Sequence, residues 1–134
     1  MKRTDIAWLH DDALVASLAA PLCERGPLAG LASDVVAAVV RSSAMVELAA
    51  GEMLIREGEP ATPEVFLLVE GTLVVQSKTG FIARLDQLGA VVGEAAVVLS
   101  SKRSADVVAE TAVRALVVPS EVLSRPEFED VAAG

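Results

Sequence analysis

From residue 53 onward the chain consists of short apolar runs that alternate with turn-forming residues, and this spacing limits the fold more than any other feature of the sequence. Short β-prone runs at such regular intervals are typical of an all-β sandwich, barrel or roll. Aromatic residues are only 3% of the chain, so the core must be built mainly from Val, Ala and Leu. The predicted strands are Met53–Ile55, Val65–Val69, Thr72–Gln76, Phe81–Leu85, Asp106–Glu110 and Val113–Val118.

Turn signals separate these runs. Glu57 to Pro60 and Lys78 to Gly80 are rich in glycine and polar residues, which favours loops. Glu70-Gly71 is a two-residue break that ends in glycine, and such a break between β-prone runs predicts a hairpin. Pro119 closes the last predicted strand, and Ser120 offers a cap for a short C-terminal helix. We therefore predict one β domain over residues 46–119, followed by a short, truncated helix over residues 120–134.

Residues 1–45 predict a helical N-terminal segment. Asp11 to Ala20 forms one amphipathic stretch with acidic residues at its start, and Pro21 is expected to end it. Ser33 offers an N-cap for a second helix, in which valines at positions 35, 36, 39 and 40 share one side. The fold predicted from the sequence is thus mainly β, with helices flanking the strands.

Charge and composition exclude several classes of protein. The longest stretch without a charged residue, Ala13 to Cys23, is far shorter than the roughly 20 apolar residues of a membrane-spanning helix. The net charge of −8 and the absence of clustered Lys and Arg argue against nucleic-acid binding by this domain. One cysteine allows no intrachain disulfide, and the N-terminus lacks the apolar run of a secretory signal. We expect a cytoplasmic protein with no membrane contact.

The segment from Gly89 to Ala109 carries the clearest chemistry. If a helical turn begins at Gly93 to Ala96, its free backbone amides form a site for an anion. Glycine and alanine at these positions let a ligand approach the backbone closely. Arg103 lies nine residues beyond Glu94, and its planar guanidinium suits a phosphate. The segment predicts a ligand that carries both a phosphate and a hydroxyl group.

This segment resembles the phosphate-binding cassette of cyclic nucleotide-binding domains, in which a Gly-Glu pair and a short helix precede Arg-Ser/Thr/Ala-Ala. Gly93-Glu94 and Arg103-Ser104-Ala105 match that pattern with the family's spacing. Residues 48–59 resemble the family's first strands, Val65–Gly71 its central hairpin, and residues 26–40 its N-terminal helical element. The resemblance covers about residues 26–125. It implies a β-roll, related to the jelly roll and double-stranded β-helix, with flanking N-terminal helices and a short C-terminal helix.

The resemblance also implies a regulatory ligand, cAMP or cGMP, and a role for each matching residue. Glu94 would accept hydrogen bonds from the ribose 2′-hydroxyl, supported by the Gly93 amide. Arg103 would pair with the exocyclic oxygens of the cyclic phosphate. No cofactor, metal or catalytic residue is implied. The predicted ligand-binding set is Gly93, Glu94, Ala95, Ala96, Arg103, Ser104 and Ala105, with the amides of Ala96 and Ser104 directed at the phosphate.

The sequence departs from the family pattern at three places. Lys102 stands where proline is common before the arginine, and Val92 stands where phenylalanine often precedes the Gly-Glu pair. Few residues follow the last strand, so the lid helix of the family is expected to be missing.

Arg84 resembles in position an arginine that contacts guanine in cyclic-GMP-dependent protein kinases. A guanine contact is chemically reasonable, although a solvated strand residue is the simpler interpretation.

Three classes of function follow from these patterns. The first is a sensor that passes ligand occupancy through its flanking helices to an output domain or to a second copy in a homodimer. The second is a degenerate roll that serves as an interaction or dimerisation module without a nucleotide. The third, a metal enzyme of the cupin type, needs converging histidines or carboxylates. The single histidine, His10, lies outside the roll, and His10 and Cys23 are interpreted as incidental helix residues.

Overall fold

In the computed structural model, the chain forms two antiparallel sheets with helices on the outer side of the larger one. The structure describes residues 2–24, 28–60, 64–92, 102–103 and 105–123. Within them, the strands are β1 (Lys2–Asp5), β2 (Ala44–Leu48), β3 (Met53–Ile55), β4 (Glu64–Glu70), β5 (Leu73–Ser77), β6 (Gly80–Leu85), β7 (Val91–Val92), β8 (Asp106–Ala109) and β9 (Val113–Pro119). The helices are a 3₁₀ helix (Ile6–Leu9), α1 (Asp12–Glu24), α2 (Ser33–Arg41) and α3 (Ser120–Leu123).

The two sheets face each other as the walls of a β-roll. The first sheet has the strand order β1-β2-β9-β4-β7, and the second has the order β3-β8-β5-β6. All pairings between these strands are antiparallel. The predicted class, a mainly β roll of the jelly-roll type with flanking helices, is therefore confirmed.

Side chains on the two faces of the first sheet belong to two separate hydrophobic cores. On one side, Val65, Leu67 and Leu116 pack against the buried faces of α1 and α2. On the other side, Phe66 and Leu68 lie between the sheets with buried residues of the second sheet. Because successive side chains in a strand point to opposite faces, one run such as Val65–Leu68 supplies both cores. This explains why the strand is an almost unbroken apolar run instead of an alternating one.

Helices α1 and α2 lie where the sequence predicts them, but the end of α1 and the cap of α2 differ from the prediction. Acidic residues lie at the start of α1 as expected, and Asp11 also caps the helix, since its Oδ1 accepts the Leu14 amide at 2.9 Å. The expectation that Pro21 ends this helix is wrong, because α1 continues through Pro21 to Glu24. Leu22 is fully buried, and its packing offsets the hydrogen bond that a proline removes. The second helix begins at Ser33, but the N-cap residue is Ala32, with no side-chain cap.

The predicted N-terminal helical segment over residues 1–45 contains both helices but also strand residues that the sequence did not indicate. Lys2–Asp5 forms β1, which pairs with β2, and β2 itself begins at Ala44, so the expected boundary at residue 46 falls inside a strand. The sequence Lys-Arg-Thr-Asp has no apolar alternation that would mark it as a strand. It is extended because the edge of β2 offers a ladder of backbone hydrogen bonds, which is a tertiary effect.

Glu70-Gly71 does not form the predicted hairpin. Strand β4 belongs to the first sheet and β5 to the second, so the chain crosses between the sheets at Gly71. Gly71 has a φ of 94°, and a Cβ there would collide with the carbonyl oxygen of Ala112 and approach the side chain of Val113. The glycine is thus required by a close approach of two loops. The hairpin of this region is β5–β6, whose turn at Lys78-Thr79 was expected.

Candidate functional site

The predicted ligand-binding set divides between described and undescribed parts of the chain. Gly93, Glu94, Ala95, Ala96 and Ser104 lie outside the described residues, so their roles stay predictions. Arg103, Ala105 and Arg84 are described, and the structure gives the surroundings of each. Among the described residues, Arg103 is therefore the centre of the candidate site.

The backbone of Arg103 is fixed against the loop that follows β3. Its amide donates to the carbonyl of Glu59 at 2.8 Å, and its own carbonyl accepts the Gly58 amide at 2.9 Å. Lys102 continues this contact by an isolated bridge to Pro60. Paired backbone hydrogen bonds on both sides of one residue leave its main chain little freedom, so the direction of the Arg103 side chain is set by the fold.

Ala105 and Asp106 hold the other flank of the same segment. Ala105 is half-buried and leads directly into β8. The Asp106 carboxylate accepts the Glu57 amide at 2.6 Å, which ties the start of β8 to the loop that contacts Arg103. A small side chain at position 105 keeps this junction compact. Ala105 thus enters the second sheet next to a contact that joins β8 to the loop at Glu57.

The Arg103 side chain is buried, with only 6% of the residue exposed. One guanidinium nitrogen, Nη2, donates to the backbone carbonyl of Glu64 at 3.3 Å. Burial lowers the pKa of Arg103, and the negative charge of Glu64 opposes that shift. Arginine stays protonated even when its pKa falls. The fold therefore holds a cation in a poorly solvated position, where an anion that displaces water is bound strongly.

Glu64 joins this site to the N-terminal strand. Its carboxylate accepts a hydrogen bond from Nη2 of Arg3 at 3.0 Å, while its carbonyl accepts from Arg103. Sequence reasoning missed both Glu64 and Arg3. The two residues are 61 positions apart and meet only because β1 joins the first sheet. No local motif signals such a pair, so only the strand order reveals it.

Arg84 lies in a different environment from Arg103. It is exposed on β6 and opposite Val74 in register, whereas the neighbouring pair Leu73 and Leu85 packs between the sheets. Its Nε donates to the Glu110 carboxylate at 2.7 Å, and this ion pair raises the pKa of Arg84. Its guanidinium carbon also lies 5.8 Å from the centre of the Phe81 ring. Alternation along β6 thus directs Arg84 to the outer side of the second sheet.

The described residues around Arg103 place one buried cation beside the backbone of Glu64. Among residues 2–24, 28–60, 64–92, 102–103 and 105–123, no group of His, Cys, Asp and Glu side chains is arranged to hold a metal ion. In the same part of the chain, no helix has the length and apolar character needed to span a membrane.

The family model of the cyclic nucleotide-binding domain matches residues 45–125 of this chain, which is more than half of its length. The match begins within β2 and includes all later strands, the segment around Arg103 and helix α3. It therefore covers both the roll and the site residues proposed from the sequence.

Solved structures share the fold at low sequence identity. The regulatory domain of Toxoplasma gondii PKA, solved with cAMP, is 18% identical, with a TM-score of 0.75 over 90% of this chain and 48% of that chain. A cyclic nucleotide-binding domain from Methylobacillus flagellatus is 18% identical, with a TM-score of 0.71 over 90% of this chain and 72% of that one. The regulatory subunit of a cAMP-independent protein kinase A from Trypanosoma brucei is 18% identical, with a TM-score of 0.69 over 95% and 50%.

A curated protein is more similar in sequence. Glutaminase 2 of Bradyrhizobium diazoefficiens is 39% identical over 100 residues, which are 73% of this chain and 15% of that protein. The chain thus corresponds to a small part of this much longer relative.

Proposed function

The chain belongs to the cyclic nucleotide-binding domain family, and we propose that it is a sensor module that binds a cyclic purine monophosphate, cAMP or cGMP, without chemical change to the ligand. The observation that carries this proposal is the buried guanidinium of Arg103, held by backbone contacts at the position that the family pattern gives to the phosphate-binding arginine. The cytoplasmic location expected from the sequence is part of the same proposal.

Charge complementarity supports a singly charged ligand phosphate. Arg103 presents a fork of donors, and a cyclic phosphate diester offers two exocyclic oxygens that share one negative charge. We propose that Glu94 accepts the ribose 2′-hydroxyl, and that the amides of Gly93, Ala96 and Ser104 complete the site as the family pattern implies. The small residues Ala95 and Ala105 leave room for the ligand beside the backbone.

The packing of the helices supports a route for output. Helices α1, α2 and α3 contribute Leu22, Val36 and Val122 to the core on the outer side of the first sheet. We propose that ligand binding tightens the segment around Arg103 and shifts the population towards a different packing of these helices. The shift is limited by the difference in ligand affinity between the two arrangements.

The output partner is proposed to be a further domain or a second copy of the chain. The similarity to a small part of a glutaminase supports the first choice, since a sensor module fused to an enzyme would occupy such a share of the length. In that arrangement this chain supplies the regulation, and the chemistry takes place in the attached domain.

Calorimetric titration with cAMP and with cGMP tests the proposal directly. We expect saturable binding of at least one of them with a stoichiometry of one. Adenosine and guanosine serve as matched controls, because they lack the phosphate that Arg103 binds. They should bind at least about tenfold more weakly, as expected when a hydrogen bond to a charged group is lost. Folded protein that binds none of these ligands would contradict the proposal.

Base preference is tested at Arg84. A guanine contact predicts that Arg84→Ala weakens cGMP binding by about tenfold and leaves cAMP unchanged, since a good base contact is worth about 1–3 kcal/mol. The ion pair with Glu110 predicts small and equal changes for both nucleotides. The outward placement of Arg84 favours the second result. Glu110→Gln is the matched control, because it breaks the ion pair and leaves the arginine in place.

A roll without a nucleotide is the second candidate function. The observation in its favour is the shared fold of the Trypanosoma brucei regulatory subunit, which is described as cAMP-independent. Under this proposal the exposed side chains of Phe81 and Ile82 on β6 are free to contact a protein partner. The same titration separates the candidates, because this one predicts folded protein with no measurable heat or thermal shift for either nucleotide.

A further inference from the structure

Arg3 and Glu64 meet on the inner side of the first sheet. Arg3 is in register with Val46, and Val46 is buried between the two sheets. Glu64 precedes Phe66 by two positions, and Phe66 is buried in the same core. Residues two apart in a strand share a face. Both charged side chains therefore start from the same side of the sheet, and their ion pair closes at 3.0 Å.

Glu64 is thereby engaged by two arginines at two different groups. Its backbone carbonyl accepts from Nη2 of Arg103 at 3.3 Å, and its carboxylate is held by Arg3. The Glu64 side chain is 25% exposed, and its carboxylate belongs to the same residue as the carbonyl that Arg103 contacts. Because Arg103 contacts the backbone of Glu64 itself, a Glu64 carboxylate released from Arg3 stays within side-chain reach of the guanidinium. Its release requires that the ion pair with Arg3 opens.

We infer that Arg3 is a positioning residue that keeps the Glu64 carboxylate from competing with the anionic ligand for Arg103. The inference rests on the proposed function, because it assigns a competitor and its restraint to the same phosphate site. Arg3 itself touches no ligand in this arrangement. It acts through Glu64, and it makes the N-terminal strand β1 part of what sets ligand affinity.

The charges of the two groups give the direction of each effect. Without Arg3, the Glu64 carboxylate is an internal anion next to a buried cation, and an ion pair between them must be broken before a phosphate binds. Without the Glu64 carboxylate this particular competitor is absent, so Arg3 no longer affects ligand affinity through Glu64. Arg3→Ala is therefore expected to weaken binding, Glu64→Gln is expected not to weaken it, and the two substitutions are expected to be strongly non-additive.

The test is a double-mutant cycle measured by calorimetry with whichever nucleotide the wild-type chain binds. Arg3→Ala is expected to raise Kd by about two- to fivefold, the upper part of the range for a partly exposed ion pair that the ligand must displace. Glu64→Gln is expected to leave Kd equal or lower it. In the Glu64→Gln background, Arg3→Ala should change Kd by less than about twofold. Arg3→Lys keeps the charge and should restore most of the affinity.

The chain offers a matched control at the other end of β4. Arg114 and Glu70 form an ion pair of similar length, 2.8 Å, with partly exposed side chains. Arg114→Ala and Glu70→Gln make the same changes in net charge without contacting the phosphate site. If the effect of Arg3 is only a change in overall charge, both arginine variants will weaken binding equally, and the inference is overturned.

The remaining outcomes are also distinct. Melting temperatures of all variants should stay within a few degrees of the wild type, because exposed ion pairs contribute little to stability. A wild-type chain that binds a cyclic nucleotide while Arg3→Ala binds it equally well overturns this inference and leaves the proposed function intact. An equal loss for Arg3→Ala in both backgrounds shows direct attraction between Arg3 and the ligand, which also overturns it. A wild-type chain that binds no cyclic nucleotide overturns both.

Discussion

Arg103→Ala is expected to weaken cyclic nucleotide binding by roughly 10- to 150-fold, the loss that corresponds to about 1.5–3 kcal/mol for a hydrogen bond to a charged group. Arg103 is a buried residue with 6% of its surface exposed, so a contact made by its side chain is poorly screened by water. The loss should be similar for cAMP and cGMP, because the phosphate is common to both. Calorimetry of the wild type and the variant measures it.

Two controls separate loss of the contact from loss of the fold. Arg103→Lys keeps a positive charge but not the planar fork, so its affinity should fall between those of the wild type and the alanine variant. Arg114→Ala removes an arginine from β9 that pairs with Glu70, and it should leave affinity within about twofold. Unchanged Kd in Arg103→Ala, with a native circular dichroism spectrum, would place the phosphate elsewhere and remove the main support for the proposed site.

The roll could be predicted from the sequence because its strands are marked locally. Apolar runs bounded by Gly, Pro and charged residues placed β4, β6 and β9 within one or two residues of their observed ends. Arg103 was predicted as the phosphate-binding arginine because a short sequence motif contains it, and that role stays a prediction. The backbone contacts of Arg103 then agree with a residue whose direction must be fixed.

What the sequence did not predict depends on contacts between distant parts of the chain. Strand β1 is polar and gains its extended form only from the edge of β2. The pairing of Arg3 with Glu64 follows from that strand, so it was invisible for the same reason. At Gly71 the local signal was real, since the residue has a positive φ, but a positive φ does not say which strand comes next. The crossing of the chain from the first sheet to the second depends on the close packing of Gly71 against Ala112.

Ligand affinity and folding stability are expected to depend on different regions of the structure. Arg103 is a buried charge at the proposed phosphate site, and its removal is expected to act mainly on binding. The crossing at Gly71 lies between β4 and β5 and connects the two sheets, so a change there is expected to act on the whole roll. The two regions can therefore be tested independently, one by titration and the other by unfolding.

Gly71→Ala is expected to lower the free energy of unfolding by about 2–4 kcal/mol, which sums a positive-φ strain of about 1 kcal/mol and an overpacking cost of about 1–3 kcal/mol. The new Cβ would meet the carbonyl oxygen of Ala112, which belongs to the backbone and cannot turn aside as a flexible side chain would. For a domain of this size, the melting temperature should fall by about 10 °C. Urea unfolding followed by circular dichroism gives the free energy.

Gly51→Ala is the matched control for this substitution. Gly51 has almost the same backbone angle, with a φ of 90°, but a Cβ there meets nothing within 4 Å. It should therefore cost only the strain of the left-handed conformation, about 1 kcal/mol. The difference between the two variants isolates the contact with Ala112. Equal losses in both would mean that backbone strain accounts for the whole effect, and that the loop at residues 112–113 yields to the added methyl group.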